Sequence, residues 1–154
     1  MKFRELIAAD RVHLDLEAND LVGALEAAAA TFEEVGGVSR DEVVRALLER
    51  ERLGSTSVGS GFAIPHCKLE SLRKLEVSLA RFAQPVDFGA PDDLKVRFFF
   101  VVLSPPDQPA AHLQVLSQIA RVLKREDLRS ALLNVQDPEE IVDALFDALQ
   151  AEDL

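Results

Sequence analysis

The chain has little cysteine and no long apolar run, and both shortages narrow the class of protein. Cys67 is the single cysteine, so an internal disulfide is impossible, which is typical of a reducing compartment. Nowhere do about 18 uncharged apolar residues follow one another, and no membrane-spanning helix is predicted. We therefore expect a cytoplasmic protein without direct membrane insertion.

Basic residues are also few compared with acidic ones. The 17 lysines and arginines stand against 27 aspartates and glutamates, and the formal net charge is -10. Such a charge repels a phosphate backbone, so nucleic-acid binding is not expected, and a charged partner should present a basic face. The 154 residues, 48% of them hydrophobic, suffice to bury one core, and we predict one domain over residues 1–154.

The apolar spacing predicts strands in the middle of the chain with helices on either side. Val12–Leu16 alternates like a strand with one buried face, which places His13 on the solvent side. Residues 77–82 read as a second half-buried strand, and the apolar run 96–103 as a strand covered on both faces. Helices are predicted at 20–34, from the Ser39 capping box to about Arg50 or Arg52, from Ala110, around 128–133, and from Asp137.

This order of elements predicts the fold class. Helices, then strands, then helices are best accommodated as an α/β fold with one mixed β-sheet sandwiched between layers of α-helices. The helix that begins at Ala110 is expected to bury the stripe formed by Leu113, Leu116, Ala120 and Leu123.

A glycine-rich and hydroxyl-rich stretch precedes His66. Because Pro65 lacks an N–H, a strand should end here and expose the His66 imidazole. The upstream N–H and O–H groups are candidates for a loop that wraps the oxygens of an anion. They belong to Ser55, Thr56, Gly59, Ser60 and Gly61. An ordinary turn followed by a surface histidine is the alternative.

A second histidine, His112, falls in the first turn of its predicted helix. The free N–H groups and positive dipole at that end favour a neutral imidazole and attract an anion. Taken alone, His112 is predicted to be an ordinary histidine on the helix surface. Its interpretation as a functional residue depends on the presence of His66. Imidazole near neutral pH acts as nucleophile, acid or donor, so the pair predicts phosphoryl chemistry.

An arginine near the end of the second predicted helix would suit the same chemistry. A guanidinium clamps phosphate oxygens through two parallel bonds, but composition does not choose between Arg50 and Arg52. Cys67 beside His66 raises the alternative of a zinc site. Adjacent side chains point apart and no fourth ligand stands out, so we predict no metal and no cofactor.

At these residues the chain resembles the enzyme IIA domains of the fructose/mannitol type from the bacterial phosphoenolpyruvate-dependent sugar phosphotransferase system (PTS), above all their free-standing nitrogen-regulatory members. The matching stretches are 50–56, 59–66, 68–70, 85–88, 106–108 and 112–113. The resemblance covers residues from about 6 to 149, which we take as the core of a PTS EIIA type-2 domain. It implies a mixed sheet flanked by helices.

The resemblance also implies roles for individual residues. His66 would accept a phosphoryl group from an HPr-like phosphocarrier protein and become a tele-phosphohistidine, with His112 stabilising the phosphoryl group. By its place in the motif, Arg50 rather than Arg52 would clamp the oxygens. Two departures stand out: Cys67 follows the histidine where relatives usually carry a small residue, and Ser60 replaces an amide or a carboxylate.

The function implied is that of a phosphotransferase component. Nitrogen-regulatory relatives act chiefly as phosphorylation-dependent regulators, and no permease, IIB-like or phosphocarrier domain is recognised in this chain, which favours regulation. Expected targets are a kinase, a potassium transporter or a transcription regulator. The alternatives are a transport component that passes phosphate to a IIB protein for fructose/mannitol-class uptake, a non-transferring binding module and, last, a metal hydrolase.

Overall fold

The computed structural model describes residues 3–152. Two short 3₁₀ segments, Phe3–Leu6 and Ala9–Arg11, open this part of the chain. The strands are β1 (Val12–Leu16), β2 (Ser57–Gly59), β3 (Phe62–Ala63), β4 (His66–Lys68), β5 (Glu76–Val86) and β6 (Val96–Ser104). The helices are α1 (Leu21–Ala30), α2 (Arg40–Arg52), α3 (Pro109–Val122), α4 (Glu126–Asn134) and α5 (Pro138–Glu152).

Local side-chain contacts explain where the helices begin. The Asp20 carboxylate accepts a hydrogen bond from the Gly23 N–H at the start of α1, and Ser39 accepts one from the Glu42 N–H at the start of α2. Asp137 accepts in the same way from the Glu139 N–H ahead of α5. These side chains satisfy backbone donors that lack partners within the first turn of a helix.

The strands form one mixed sheet in the order β1-β5-β6-β3-β2, and β4 also pairs with β6. β5 runs antiparallel to β6, whereas β3 and β4 run parallel to β6, one after the other along its length. β1 runs parallel to β5 on the other side. The α/β fold with a mixed sheet, as predicted, is confirmed.

Both faces of the sheet are covered by helices. Side chains along β6 point alternately to the two sides, as pleating requires. Phe98, Phe100 and Val102 belong to the core shared with α3, α4 and α5. Phe99, Val101 and Leu103 belong to the core shared with α1 and α2. β6 is therefore the doubly covered strand that its apolar run predicts.

The half-buried character predicted for residues 77–82 is wrong, because β5 is buried on both faces there. Its polar side chains are tolerated because their polar atoms, except the Arg81 Nε, have hydrogen-bond partners. Ser78 is hydrogen bonded to Thr31 at 2.7 Å between the two hydroxyl oxygens. Arg81, fully buried, donates to the carbonyls of Leu132 and Val135. Buried polar groups are acceptable where hydrogen bonds replace those lost to water.

The buried face predicted for α3 is also largely wrong. The helix buries His112, Val115, Ile119 and Val122, while Leu113 is 66% exposed. Leu116 is half-buried, Ala120 is exposed, and of the predicted stripe only Leu123, just beyond the helix, is buried. This rotation turns the His112 side chain inward and leaves Leu113 on the surface.

Candidate active site

His66 lies at the start of a strand rather than at the end of one. β3 ends at Ala63 and β4 begins at His66, so the predicted strand end at His66 is wrong. Pro65 has no N–H, but its carbonyl accepts a hydrogen bond from the Val102 N–H at 3.0 Å. This bond keeps the chain beside β6 across the proline, and His66 then pairs with Val102 in the parallel ladder.

One hydrogen bond determines which nitrogen of His66 is free. Its Nδ1 lies 2.7 Å from the carbonyl oxygen of Ile64. A carbonyl can only accept, so Nδ1 carries the proton and donates it, and Nε2 keeps its lone pair. Burial lowers the pKa of His66, and the charge of Arg50 lowers it further against the opposing effect of the Ile64 carbonyl. The ring is therefore neutral near pH 7 and presents Nε2 as a nucleophile.

Arg50 contacts this nucleophilic nitrogen directly. At the end of α2, its Nε donates to His66 Nε2 at 3.3 Å, and its Nη1 donates to the Gly54 carbonyl at 2.8 Å. Arg52 is exposed and lines a separate surface groove between α1 and α2. The structure thus brings Arg50, and not Arg52, to His66.

The His112 ring lies beside the His66 ring. The two ring centres are 5.4 Å apart, with the ring planes inclined at 58°. His112 Nδ1 is hydrogen bonded to the Ser104 hydroxyl, and the His112 backbone N–H donates to the Gln108 carbonyl. Burial lowers the pKa of His112 to about 4, helped by His66 and Lys68. This imidazole too is neutral near pH 7.

The two histidines and Arg50 line one cavity of about 450 Å³. Its other lining residues are Ala46, Glu49, Leu53, Cys67, Lys68, Leu113 and Leu116. Leu53 is 85% exposed and Leu113 66% exposed, so apolar side chains surround the mouth of a basic and imidazole-lined pocket. Such a combination suits an anionic group carried on the surface of another protein.

The glycine-rich loop does not line this cavity. The Ser55 hydroxyl donates to the Phe88 carbonyl, and Thr56 donates its N–H and hydroxyl to the Glu51 carboxylate. Gly59, Ser60 and Gly61, all with positive φ, form the turn between β2 and β3. Gly59 and Ser60 line a different cavity, beside Ala120 and Leu123. The predicted contact of this loop with a phosphoryl group stays a prediction.

The two departures from the family pattern have physical explanations. Cys67 has ordinary backbone angles outside the positive-φ region, and burial raises the pKa of its thiol to about 12. Cysteine at this position therefore requires no left-handed backbone, and its thiol keeps its proton near pH 7. Ser60 has φ 58°, a left-handed conformation that asparagine and aspartate adopt more readily than serine. The amide or carboxylate that the family resemblance implies at this position would suit that backbone.

Residues 3–152 contain neither a metal-binding cluster nor a membrane-spanning helix. No group of three or more His, Cys, Asp and Glu side chains in this part of the chain is arranged to hold a metal ion. None of its helices combines the length and the apolar character needed to cross a membrane.

Sequence reasoning missed several contributors to the site. Ser104 holds His112, the Ile64 carbonyl holds His66, and Lys68 lies at the cavity. The sequence did offer an indication of Ser104, because it is a polar residue at the end of the apolar run of β6. It offered none of the Ile64 contact, since a backbone carbonyl belongs to every residue type.

Comparison with known proteins identifies the family. The protein-family model described as "Phosphoenolpyruvate-dependent sugar phosphotransferase system, EIIA 2" matches residues 5–148 of the sequence. A nitrogen regulatory protein of Bradyrhizobium diazoefficiens is 37% identical over 145 residues, 94% of this chain and 95% of that protein. A PTS fructose-specific EIIA component of Haloferax volcanii is 39% identical over 111 residues, 72% of either chain.

A solved structure agrees. The crystal structure of nitrogen regulatory protein IIA-Ntr from Neisseria meningitidis matches with a TM-score of 0.87 and 32% identity, covering 92% of this chain and 97% of that one. Fold and sequence together define a phosphotransfer protein of the IIA type. The chain belongs to the EIIA type 2 family of the phosphoenolpyruvate-dependent sugar phosphotransferase system, and the predicted family is confirmed.

Proposed function

We propose that the chain is a phosphohistidine carrier that accepts a phosphoryl group on Nε2 of His66. The observation that carries this proposal is the hydrogen bond between His66 Nδ1 and the Ile64 carbonyl. It leaves Nε2 unprotonated beside a guanidinium and a second imidazole, inside a cavity that opens to the surface. The product is a tele-phosphohistidine.

The transfer is a displacement at phosphorus. The Nε2 lone pair of His66 forms the new N–P bond while the N–P bond of the donor imidazole breaks, and the donor nitrogen keeps that electron pair. Nδ1 retains its proton on the Ile64 carbonyl throughout. Little covalent help is needed, so positioning and charge neutralisation dominate the rate.

Arg50 changes partner during this step. Its Nε–H occupies the His66 Nε2 lone pair at rest, and this bond must open before Nε2 attacks. The released N–H then contacts a phosphoryl oxygen, and His112 is near enough to contact another. A preorganised donor of this kind is typically worth about 2.7–4 kcal/mol in the transition state, so loss of Arg50 or His112 slows transfer without abolishing it.

The proposed donor is an HPr-like phosphocarrier protein. The exposed leucines at the cavity mouth, Leu53 and Leu113, support docking of a protein surface rather than of a small molecule. The net charge of -10 favours a partner with a basic face.

We propose regulation as the main role, with a kinase, a potassium transporter or a transcription regulator as the target. The support is the nitrogen regulatory relative from Bradyrhizobium diazoefficiens, which matches over nearly its whole length. The fructose-specific relative from Haloferax volcanii supports a second candidate, transfer to a IIB protein for sugar uptake.

The carrier proposal is tested by phosphorylation. The protein is incubated with phosphoenolpyruvate, enzyme I and a phosphocarrier protein, and intact mass is recorded before and after acid treatment. We expect one acid-labile phosphoryl group on the unmodified protein and none on His66→Ala. The matched control is His13→Ala, which removes a half-buried imidazole on β1 and should label normally. Labelling of His66→Ala would overturn the assignment.

A binding experiment separates regulation from transport. The phosphorylated and unphosphorylated forms are used in parallel as baits with purified candidate targets and with a sugar-specific IIB protein. Binding of a kinase, transporter or regulator that differs between the two forms supports regulation. Phosphoryl transfer to the IIB protein, with no form-dependent target, supports transport instead.

A further inference from the structure

We infer that Ser104 is a positioning residue that holds His112 in the tautomer whose proton lies on Nε2. The inference rests on the proposed function, because it prepares His112 to donate a hydrogen bond to an oxygen of the transferred phosphoryl group. The Ser104 hydroxyl is hydrogen bonded to His112 and not to His66, so Ser104 acts through His112.

The Ser104 hydroxyl is held rigidly against His112. Ser104 is the last residue of β6 and is fully buried, and His112 is only 6% exposed. The Ser104 carbonyl accepts a hydrogen bond from the Leu69 N–H at 2.9 Å, and Ser104 pairs with Lys68 in the ladder between β4 and β6. The backbone on both sides of the hydroxyl is therefore fixed by the sheet.

The direction of the hydrogen bond follows from the needs of a buried hydroxyl. Its proton requires an acceptor, since burial without one costs free energy. Among residues 3–152, His112 Nδ1 is the one hydrogen-bond partner of the Ser104 side chain. The hydroxyl therefore donates, Nδ1 accepts, and the neutral ring must carry its proton on Nε2.

The remaining nitrogen of His112 faces the cavity. His112 lines the pocket that contains His66, and Nε2 is on the side of the ring away from Nδ1 and Ser104. Within the described part of the chain, Nε2 has no hydrogen-bond partner, yet it is not among the enclosed unpaired atoms. Its N–H is accordingly available to a group that enters the cavity.

The two histidines are thus set in opposite tautomers by different partners. The Ile64 carbonyl can only accept and places the His66 proton on Nδ1, whereas the Ser104 hydroxyl donates and places the His112 proton on Nε2. One ring offers a lone pair to phosphorus and the other offers an N–H to oxygen. The reverse state of His112 would point a lone pair at a phosphoryl oxygen, and the two would repel.

The inference is tested first by nitrogen-15 NMR of the imidazoles in the unphosphorylated protein. We expect His112 to show a protonated Nε2 and a hydrogen-bonded, unprotonated Nδ1. In Ser104→Ala the Nδ1 signal should shift to that of a free acceptor. The control Ser78→Ala removes another fully buried hydroxyl, on the neighbouring strand β5 and bonded to Thr31 at the end of α1, and should leave His112 unchanged. A proton on His112 Nδ1, or an unchanged Ser104→Ala spectrum, would overturn the inference.

The second readout is the initial rate of phosphorylation from the phosphocarrier. Ser104→Ala should slow labelling about five- to tenfold, the equivalent of one lost hydrogen bond, and Ser78→Ala should not slow it. In a His112→Gln background, whose amide N–H needs no tautomer selection, Ser104→Ala should change the rate by less than about twofold. Equal losses in both backgrounds would identify a merely structural role and overturn the inference.

The two readouts separate failure of this inference from failure of the proposed function. The NMR measurement needs no phosphoryl donor, so it reads the tautomer even in a protein that is never labelled. A wild-type chain that takes up no phosphoryl group overturns the carrier function, whereas a labelled chain with the proton on His112 Nδ1 overturns only the role of Ser104.

Discussion

The protonation of His66 depends on the residues that enclose its ring. Burial and the Arg50 charge hold the pKa of this imidazole below 6.5, and the Ile64 carbonyl opposes them only in part. Lowering the pKa keeps the nucleophilic lone pair available at mildly acidic pH. A lower pKa also makes the His66 imidazole a weaker base and therefore a weaker nucleophile. In the proposed transfer, Arg50 and His112 offset this loss by stabilising the charge on the phosphoryl oxygens.

This effect predicts the pH titration of His66. Followed by NMR of its ring protons, the midpoint should fall below 6.5 in the wild-type protein. In Arg50→Gln the midpoint should be higher than in wild type, because a cation that disfavours the imidazolium has been removed. His13, half-buried on β1, provides an internal reference that this substitution should leave in place. A wild-type midpoint at or above 6.5, or a lower midpoint in Arg50→Gln, would contradict the prediction.

Individual site residues differed in how far the sequence could predict them. The Ile-Pro-His order pointed to His66, whereas the helix-end position left Arg50 and Arg52 open and the family resemblance chose Arg50. The structure brings His66 and Arg50 together with His112. The tautomers were beyond reach, since they depend on the Ile64 carbonyl and the Ser104 hydroxyl, which approach the rings only after folding. Ser55 and Thr56 have the residue types of an anion loop, but their hydroxyls bind Phe88 and Glu51 instead.

Among the secondary-structure elements, α4 is unusual in how it ends. The Arg81 guanidinium, buried within β5, donates from Nη1 to the carbonyls of Leu132 and Val135 at 2.9 and 2.6 Å, and from Nη2 to Gln136. Carbonyls at the end of a helix lack partners in the helix and carry its negative dipole end. Within residues 3–152 the Arg81 guanidinium forms no salt bridge with a carboxylate, and the end of α4 stabilises its charge.

Removal of this cation should destabilise the fold. We expect Arg81→Met, which keeps much of the buried stem, to lower the free energy of unfolding by on the order of 3 kcal/mol, because it leaves buried carbonyls unpaired. The measurement is urea denaturation followed by circular dichroism. Arg121→Met on the exposed side of α3 is the control and should change stability by less than about 0.5 kcal/mol. Equal stability of the two variants would show that α4 does not depend on Arg81.

The sequence-based predictions of the buried faces of α3 and β5 were wrong because tertiary packing, and not the local pattern, decides which residues are buried. α3 carries apolar residues on more than one face, so spacing alone could not choose between the Leu113 stripe and the His112, Val115 and Ile119 stripe. Packing against the sheet makes that choice. In β5, the polar residues Ser78 and Arg81 give the sequence the pattern of a strand with one exposed face. Both are buried, because Thr31 and the end of α4 provide hydrogen-bond partners from distant parts of the chain.

At the scale of the whole molecule, all three histidines have lowered pKa values, and burial is the largest cause for each. In the unfolded chain these groups take up protons near 6.5, before the folded protein does. Their contribution to stability is therefore complete above that pH and is lost as the pH falls toward the folded values. For His112 the loss continues down to about 4.

Stability should accordingly decline on acidification. We expect the free energy of unfolding to fall between pH 7 and pH 5, with His112 contributing a total on the order of 3 kcal/mol by the lower end of its range. Glu51 has the opposite effect, since burial raises its pKa and protonation then favours the folded state. Urea denaturation at several pH values measures the sum, and His112→Gln should flatten the decline. Stability that rises on acidification would refute this account.

The overall architecture was the most predictable level. The order of helices and strands and the doubly apolar run of β6 were sufficient for a mixed sheet between helical layers. Long, strongly patterned segments specify their element type, whereas the short strands around Pro65 depend on pairing with β6.

The parallel pairing of β4 with β6 fixes how His66 and the Ser104 that holds His112 are spaced along the sheet. His66 pairs with Val102, and Lys68 pairs with Ser104. His66 and Ser104 are therefore two residue pairs apart in the ladder between β4 and β6. Arg50 comes instead from the end of α2, so the distance from its guanidinium to the imidazoles depends on how this helix packs against the sheet.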